Sequence, residues 1–485
     1  MRRFLRGHHP PLRRLRRGWL IASVFLSALL LLSMIAPGGR VEGGALAQPT
    51  NLAAVHRSGQ TFITWTETGG GGAPHYRVYR HTQPINAANL AEAHLLGEVA
   101  TGSGRFYANR YNVGGSGTWA PRYYDRLVIA NRGAPLANGT GLLVWTLAAD
   151  DFAGGSSGQG YYAVTTVTGG VEDRSSFTAA NTTGPVTEAV ADPLPVEIAP
   201  PGLASNGRIY IQYMDLHTWN TTFHAPHAGN GYYGLDPADP GVVDGAQYMY
   251  DYAVFMPTAA DCGGTLPASL PVSLQLHGWG DNTYGPQLDD PDPYGWCVYR
   301  IYPIDVSQTW YFGFAQEHDF RTDTPIADGG HIANFTEQRI LRMVYDLMRQ
   351  PPGPPVDANR VFVFGHSMGG SGTLALALRY PNVFAAAYAS EPMTNYATSG
   401  DGGGTDWRGD YAPKWGSVSQ NLPVILRAPG NWGAPLAAYQ GTGVYSWQNH
   451  QANLTARAED GFVPLGIGHG LNDTVIEWST QGQPA

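Results

Sequence analysis

Apolar and polar residues alternate in short runs along the first part of the chain after its N-terminus. Two such runs are Thr61–Trp65 and Tyr76–Tyr79, and a longer one spans Tyr161–Val167 just before two glycines. Alternation with a period of two places successive side chains on opposite faces, as in a half-buried β-strand. The pattern predicts an all-β sandwich domain over residues 48–190.

A second pattern begins near residue 208, where short apolar runs alternate with segments of helical periodicity. Such alternation is typical of an α/β fold, in which helices flank a mostly parallel sheet. Residues 191–207 contain four prolines and predict a stiff linker between this domain, residues 208–485, and the β domain. The strands predicted in it are Ile209–Tyr213, Tyr252–Met256, Val272–His277, Trp310–Ala315, Val361–Phe364 and Phe384–Ala389.

The segment from Phe335 to Arg349 predicts a helix. Asn334 and Glu337, three residues apart, are spaced as an N-terminal capping pair, and a proline-rich run follows from Pro351. One helical face carries the apolar side chains Ile340, Leu341, Val344, Leu347 and Met348.

The N-terminal 47 residues have the composition of an export segment. Seven arginines precede residue 18, an apolar run covers Gly18–Ala36, and Ala45-Leu46-Ala47 has the small-x-small form that signal peptidases cleave. We therefore expect a secreted, extracellular protein whose signal peptide is removed. The apolar run is also long enough to span a bilayer, so an uncleaved membrane anchor is the alternative.

Charge and cysteine content narrow the range of partners. Removal of residues 1–47 takes away eight arginines and one glutamate, which leaves 21 basic and 37 acidic residues and a net charge of −16. Such a surface disfavours nucleic acid, and contact with a membrane is expected only if the N-terminal segment stays uncleaved. Cys262 and Cys297, the two cysteines of the chain, are expected to form a disulfide in an oxidising compartment.

The strongest chemical signal is the sequence Gly365-His-Ser-Met-Gly-Gly370, which directly follows an apolar strand and precedes a helical run. In a nucleophile elbow, glycines on both sides of the serine allow the sharp strand-to-helix turn that exposes the hydroxyl. A second G-x-S-x-G match at Ser156 lies in a Gly/Ser loop with no apolar strand before it and no helix after it, which indicates a flexible turn. Ser367 is therefore the predicted nucleophile, and His366 is expected to line the site.

An oxyanion hole is predicted next to this serine. The apolar strand ending in Leu276-His277-Gly278 leads into a turn whose Trp279 N–H would point toward the elbow. The backbone N–H groups of Met368 and Trp279 are the predicted donors. No ligand motif for a metal is complete, and we expect no cofactor.

Residues 250–395 resemble the branch of the α/β-hydrolase superfamily that holds esterases and polyhydroxybutyrate depolymerases, including feruloyl and acetylxylan esterases. The resemblance lies in Leu276–Gly278, the helix at Glu337–Arg349, the segment Val356–Gly370 and the segment Tyr380–Ala387. It implies an ester hydrolase with a Ser-His-acid triad. The β domain is similar to a fibronectin type III module, judged by Trp65, Tyr76–Tyr79 and a late Tyr-x-Val strand, with an insertion between about 102 and 160.

The resemblance leaves two interpretations of the remaining triad residues. In the first, Phe462–Ile476 is the last strand with its turn, His469 is the general base, and Val424–Ala428 is strand seven. No carboxylate follows that strand, so Glu391 would orient the imidazole.

In the second interpretation, the segment Phe462–Ile476 is strand seven and Asp473 is the acid, because His-Gly-x-x-Asp-x-x-Ile is similar to the acid turn of the family. The catalytic histidine would then lie beyond Ala485, in a chain truncated at its C-terminus.

The sequence thus predicts a secreted serine ester hydrolase that works through an acyl-enzyme. A β domain ahead of the catalytic domain suggests a polymeric ester, either a polyester or an esterified polysaccharide. The alternatives are a serine peptidase of the prolyl-oligopeptidase type and a non-catalytic binding protein with a degenerate hydrolase domain.

Overall fold

The computed structural model of the chain describes residues 47–69, 74–105, 126–152, 154–214, 249–280, 295–305, 308–315, 318, 326 and 330–485. Residues 45–485 form one compact unit. The predicted export segment, apart from Ala47, lies outside the described residues. Among the helices that are described, none has both the length and the apolarity needed to cross a membrane.

The N-terminal part consists of two antiparallel sheets that share a core. The larger sheet contains β3 (His75–His81), β4 (His94–Ala100), β6 (Ser157–Thr168), β7 (Val171–Glu172) and β8 (Thr182–Ala189), and the three-stranded sheet has the order β1 (Thr50–Arg57), β2 (Gln60–Thr66), β5 (Thr140–Thr146). Alternation of side chains along β2 explains the core, because Ile63 and Trp65 face the larger sheet and pack with Tyr76 and Val164.

The C-terminal part is built on an eight-stranded sheet. Its order is β19 (Leu465–Gly468), β17 (Ala386–Ser390), β16 (Val356–His366), β12 (Leu270–Leu276), β13 (Tyr299–Tyr302), β11 (Met249–Phe255), β10 (Gly207–Tyr213), β9 (Val196–Ile198). The strands from β19 to β13 are parallel, and β11, β10 and β9 are antiparallel to their neighbours. The carboxyl ends of β12, β16, β17 and β19 therefore meet at one edge, where ligand sites of open α/β sheets lie.

The described α-helices of the C-terminal part are α1 (Phe335–Arg349), α2 (Met368–Arg379), α3 (Arg408–Trp415), α4 (Val444–Trp447) and α5 (His450–Ala456). The predicted bounds of α1 are confirmed. Its predicted cap is not, because the Asn334 side chain makes no capping hydrogen bond. Instead Asn334 Nδ2 donates to Glu337 Oε1 at 2.9 Å and to the Arg427 carbonyl at 2.8 Å, which ties the start of α1 to a distant loop.

Two predicted strands are shorter than expected. Of Trp310–Ala315 only Phe314–Ala315 is a strand, β14, because the chain turns at Trp310 and Tyr311, where φ is 55° and 59°. Of Val424–Ala428 only Val424–Ile425 is a strand, β18. With β15 (Ile332–Ala333), β14 and β18 form a separate small sheet, so Val424–Ala428 is not strand seven of the main sheet.

The predicted linker, residues 191–207, contains part of the main sheet rather than only a spacer. Val196 and Ile198 of β9 are buried, and β9 pairs with β10. These two side chains join a core that also includes Phe62 of β2 and Val144 of β5. The three-stranded sheet is thus buried on both faces, and its second face packs against β9, β10 and β11. The two predicted domains share a hydrophobic core.

The predicted disulfide between Cys262 and Cys297 is confirmed. It joins residues 35 positions apart, between the end of β11 and the start of β13. Since Cys262 precedes β12 and Cys297 precedes β13, the bridge lies at the amino ends of these strands. The chemistry is expected at the opposite, carboxyl ends.

Candidate active site

Ser367 lies at the turn between β16 and α2, as the motif predicts. Its backbone has φ 57° and ψ −119°, a conformation that is uncommon and strained for a residue with a side chain. The Ser367 N–H donates to the Ser390 carbonyl at the end of β17, at 2.9 Å. The residue is partly exposed, and its Oγ makes no hydrogen bond to any residue that the structure describes. The hydroxyl therefore stands available at the carboxyl edge of the sheet.

The glycines around Ser367 are required by close approach of the backbone. A Cβ on Gly365 would lie 2.5 Å from the Gly369 carbonyl oxygen. A Cβ on Gly369 would lie 2.2 Å from the Leu276 carbonyl oxygen at the end of β12. Both distances are far below van der Waals contact, so the G-x-S-x-G pattern is what lets β16, α2 and β12 pack together.

The turn after β12 is fixed by His277. The Asp305 N–H donates to His277 Nε2 at 2.9 Å, so the proton of the neutral ring is on Nδ1, which donates to the Gly278 carbonyl at 2.8 Å. Tyr311 Oη donates to the His277 carbonyl at 3.1 Å. Together these bonds hold the turn that carries Trp279.

Both predicted oxyanion donors remain unused by the described part of the protein. The backbone N–H of Met368 begins α2 and that of Trp279 lies in the turn after β12, and neither donates a hydrogen bond to a described residue. A Cβ on Gly278 would lie 3.9 Å from the His366 carbonyl oxygen, so this turn lies beside the elbow. Free N–H groups in such positions are suited to stabilising a developing oxyanion.

A cavity of about 540 Å³ opens at Ser367. Four residues that the sequence predicts for the site meet there, namely Ser367, His366, Glu391 and Asp473. The remaining walls are formed by Gly470, Leu471, Asn472, Val475 and Ile476. The cavity therefore combines the nucleophile with two candidate acids and an apolar wall.

Asp473 follows β19 in a tight turn. Its Oδ1 accepts hydrogen bonds from the N–H groups of Val475 at 2.8 Å and Ile476 at 3.1 Å, which fixes the carboxylate at the cavity wall. Since β19 pairs directly with β17, the strand that precedes Asp473 occupies the place after β17 in the sheet. This topology matches the second interpretation, in which Phe462–Ile476 contains strand seven.

His469 is directed away from the cavity. Its side chain is 1% exposed, and its Nε2 donates to the Ile476 carbonyl at 2.7 Å. The same nitrogen lies 3.8 Å from Asp473 Oδ2, and the ring packs on Trp478 at 5.9 Å. The first interpretation requires a hydrogen bond between His469 and Ser367. The structure does not show this bond.

Glu391 is paired with His366 rather than with His469. His366 Nδ1 lies 3.0 Å from Glu391 Oε2, and the His366 side chain is 70% exposed. The Ser390 hydroxyl also donates to Glu391 Oε2. Glu391 therefore lines the cavity while its carboxylate orients the histidine next to the nucleophile.

Sequence reasoning missed an aromatic cluster next to this site. Trp279 packs on Trp407, with ring centroids 5.2 Å apart, and Trp407 packs on Trp310 at 5.5 Å. These residues are separated by up to 128 positions, so no local pattern unites them. In the described ranges, no group of three His, Cys, Asp or Glu side chains could hold a metal ion.

Residues 307–482 match the model of a family described as Esterase, a putative esterase. No curated protein matches the chain. The match begins after β13 and includes the elbow, β17 and the turn that carries Asp473.

Several solved serine hydrolases are similar to parts of the chain at low identity. FphF, a fluorophosphonate-binding serine hydrolase of Staphylococcus aureus, is 16% identical over 58% of this chain and 96% of its own, with a TM-score of 0.28. An S-formylglutathione hydrolase from Agrobacterium tumefaciens is 12% identical over 57% of this chain and 90% of its own, with a TM-score of 0.27. A Pyrococcus horikoshii acylaminoacyl peptidase is 12% identical over 90% of this chain and 63% of its own, with a TM-score of 0.30.

The family match covers the segment in which a parallel sheet, a strained serine turn and a buried helix follow one another as in α/β-hydrolases. The match to this family model supports an α/β-hydrolase fold for the C-terminal part of the chain and identifies the protein as a carboxylic ester hydrolase.

Proposed function

We propose that the protein hydrolyses carboxylic esters through an acyl-enzyme on Ser367. The observation that carries this proposal is the Ser367 hydroxyl, held by a strained turn at the mouth of a cavity without a described hydrogen-bond partner. Oγ forms a bond to the ester carbonyl carbon while its proton passes to a base. The bond from that carbon to the alcohol oxygen then breaks, and the base returns the proton to the leaving alcohol. Water attacks the acyl-enzyme in the same way and releases the acid.

The oxyanion of each tetrahedral intermediate is held by the N–H groups of Met368 and Trp279. Support for this assignment comes from their free N–H groups and from the hydrogen bonds that fix His277 in the turn before Trp279. Donors fixed before the reaction need no reorganisation when charge develops, which makes this type of stabilisation effective.

We assign the acid role to Asp473, in agreement with the second interpretation. The carboxylate lines the cavity with Ser367 and follows the strand next to β17. This proposal does not assign the base to His469, whose Nε2 donates to the Ile476 carbonyl instead of facing Ser367. This proposal does not use Glu391 as the triad acid, because its carboxylate is paired with His366.

A panel of substrates tests the reaction class. Purified protein is expected to hydrolyse p-nitrophenyl acetate and butyrate, and Ser367→Ala is expected to abolish the activity. A Ser156→Ala variant, which alters the other G-x-S-x-G match, serves as the control and should keep full activity. Cleavage of peptide p-nitroanilides at rates similar to those for esters would instead identify a peptidase.

One observation favours a second candidate, a non-catalytic binding protein. Among the described residues, none places an imidazole in hydrogen-bond contact with Ser367 Oγ. If no ester in the panel is hydrolysed and Ser367 is inert, the protein would be a binding protein with a degenerate hydrolase site.

The substrate that we propose is a polymeric ester, a polyester or an esterified polysaccharide. The N-terminal β part, which we propose to be a fibronectin type III-like module, adds two antiparallel sheets without a described catalytic cluster. Such a module would hold the enzyme on an insoluble chain. Cosedimentation of the full chain with polyhydroxybutyrate granules or acetylated xylan, followed by release of soluble products, would support this role; activity on soluble esters alone would oppose it.

We further propose that the protein is exported and that cleavage follows Ala47. The Cys262–Cys297 disulfide supports an oxidising compartment, because such bonds are rare in the cytosol. Expression of the full chain in a secreting host should give a mature protein that begins at Gln48 by mass spectrometry. An intact N-terminus on membrane-bound protein would instead identify the anchor.

A further inference from the structure

Trp279 combines two properties that seldom occur together, exposure and fixed orientation. Its side chain is 44% exposed although it is large and apolar. Its Nε1 nevertheless donates to Asp410 Oδ1 at 3.4 Å. Asp410 is in turn held by Trp310 Nε1 at 2.9 Å and by Lys414 Nζ at 2.9 Å, so the indole is supported from beneath by a fixed carboxylate.

Trp407 extends this surface toward the cavity. It packs on Trp279 with ring centroids 5.2 Å apart and planes tilted by 58°. Its Nε1 donates to the Val475 carbonyl at 3.2 Å, and the Val475 side chain, which is exposed, lines the cavity at Ser367. The two indoles therefore form one surface, here called the tryptophan rim, that reaches from the oxyanion turn to the cavity wall.

The position of the tryptophan rim relates it to the reacting ester. Trp279 supplies both the indole and, in the proposed mechanism, an oxyanion N–H, so a group resting on the indole lies beside the carbonyl carbon. Exposed aromatic faces bind flat rings by stacking and by contact with C–H groups. A fixed indole loses little conformational freedom on binding, so most of the stacking free energy appears in the affinity.

We propose that the tryptophan rim binds a flat ring of the substrate, so that the preferred esters carry a ring next to the scissile bond. This inference rests on the proposed function and deepens it by naming the residues that set substrate class. The ring is either an aromatic acyl group or a pyranose on the alcohol side, since both present a flat face with C–H groups.

Equilibrium binding tests the inference without any need for turnover. The full chain with Ser367→Ala is titrated by calorimetry with ethyl cinnamate, an acetylated methyl xyloside, ethyl hexanoate and ethyl acetate. At least one of the two ring-bearing esters should bind more tightly than both ring-free esters, and the one that does identifies the source of the ring.

Two substitutions locate the site. Trp279→Leu and Trp407→Leu should each weaken binding of the ring-bearing ester about three- to tenfold, as expected for loss of one aromatic contact. Trp407→Tyr keeps a ring and should retain most of the affinity. The matched control is Trp296→Leu, because Trp296 is equally exposed at 45% but packs on Phe364 away from the cavity walls, and it should leave the affinity unchanged.

The inference is overturned if neither ring-bearing ester binds more tightly than the ring-free esters, or if ethyl hexanoate loses as much affinity as the ring-bearing esters in the two Leu variants. It is also overturned if Trp296→Leu weakens binding of the ring-bearing ester as much as Trp279→Leu and Trp407→Leu do. Failure of the proposed function has a separate sign, which is the absence of esterase activity in the wild-type chain, since the titrations do not depend on turnover.

Discussion

The backbone N–H of Ser367 donates a hydrogen bond to the carbonyl oxygen of Ser390 at 2.9 Å. This bond joins the nucleophile turn to the end of β17, the strand that leads to Glu391. Gly370, in the first turn of α2, lies against the same carbonyl, since a Cβ there would be 2.2 Å from the oxygen. The position of the nucleophile therefore depends on a glycine that does not touch substrate.

Gly370→Ala is expected to displace α2 or the end of β17. The substitution should lower the free energy of unfolding by about 1–3 kcal/mol, as overpacking does, although alanine favours a helix over glycine. A shift of about 1 Å at Ser367 would lower kcat about a hundredfold. Urea unfolding and p-nitrophenyl acetate kinetics measure both effects.

Gly409→Ala is the matched control. Gly409 also lies in the first turn of a helix, α3, but a Cβ there would meet no atom within 4 Å. This variant should be as stable as the wild type or more stable by up to about 1 kcal/mol, with normal kcat. Equal loss of activity in both variants would contradict the role of the Ser390 contact.

The shared core predicts that the β part and the hydrolase part unfold together. Phe62 is buried against β9, β10 and β11, so Phe62→Ala should cost about 3–5 kcal/mol and lower the midpoint of one common transition. Circular dichroism and residual esterase activity, followed in urea, should report the same midpoint. Val55→Ala on exposed Val55 should change stability by less than about 0.5 kcal/mol. Loss of stability without any shift of the activity midpoint would contradict a shared core.

Local signals in the sequence were enough to predict the elbow and α1, because neighbouring residues specify the serine turn and the helix. Pairings between distant segments were not accessible in this way. The short apolar pair Val196 and Ile198 lies between prolines and indicates a linker by composition, yet it becomes a strand because β10 provides a partner. The small sheet of β14, β15 and β18 likewise depends on segments almost a hundred residues apart.

The orientation of His469 was also beyond local reasoning. Its ring is turned inward by the Ile476 carbonyl and by Trp478, both of which lie after it in the chain. The sequence identified the segment and both candidate roles. Only the packing of the turn shows that Asp473, not His469, lies at the cavity with Ser367.

Asp346 predicts a pH dependence of stability. Burial raises its pKa from 3.8 to about 7, against the lowering effect of Arg342 and Arg349, while nearby Asp192 raises it further and Arg57 lowers it. Between about pH 4 and 7 the folded state keeps this proton and the unfolded state loses it, so stability falls as pH rises through that window.

Asp346→Asn removes this contribution. Relative to the wild type, the variant should gain up to about 4 kcal/mol of stability between pH 4 and 7, with no further relative change above that window. Urea unfolding at intervals of pH measures the difference. Asp357→Asn, at a partly exposed carboxylate whose pKa is held low by Arg360, should show no such gain. A constant difference between Asp346→Asn and the wild type across the window would contradict a protonated Asp346.

The two candidate acids are separated by isosteric substitutions. Asp473→Asn keeps an oxygen to accept the N–H groups of Val475 and Ile476, so the turn should stay folded while the charge is lost. We expect kcat to fall about a thousandfold or more, the range seen when a triad acid loses its charge. Glu391→Gln should lower kcat less than about tenfold. A larger loss of kcat in Glu391→Gln than in Asp473→Asn would identify Glu391 as the acid and would support the first interpretation.

Labelling of Ser367 by a fluorophosphonate probe tests the central claim most directly, because the probe reacts only with an activated serine hydroxyl. The account predicts that the purified wild-type protein is labelled, that the modified peptide contains Ser367, and that Ser367→Ala is not labelled while Ser156→Ala is. No labelling of the wild type, or equal labelling of Ser367→Ala, would contradict it.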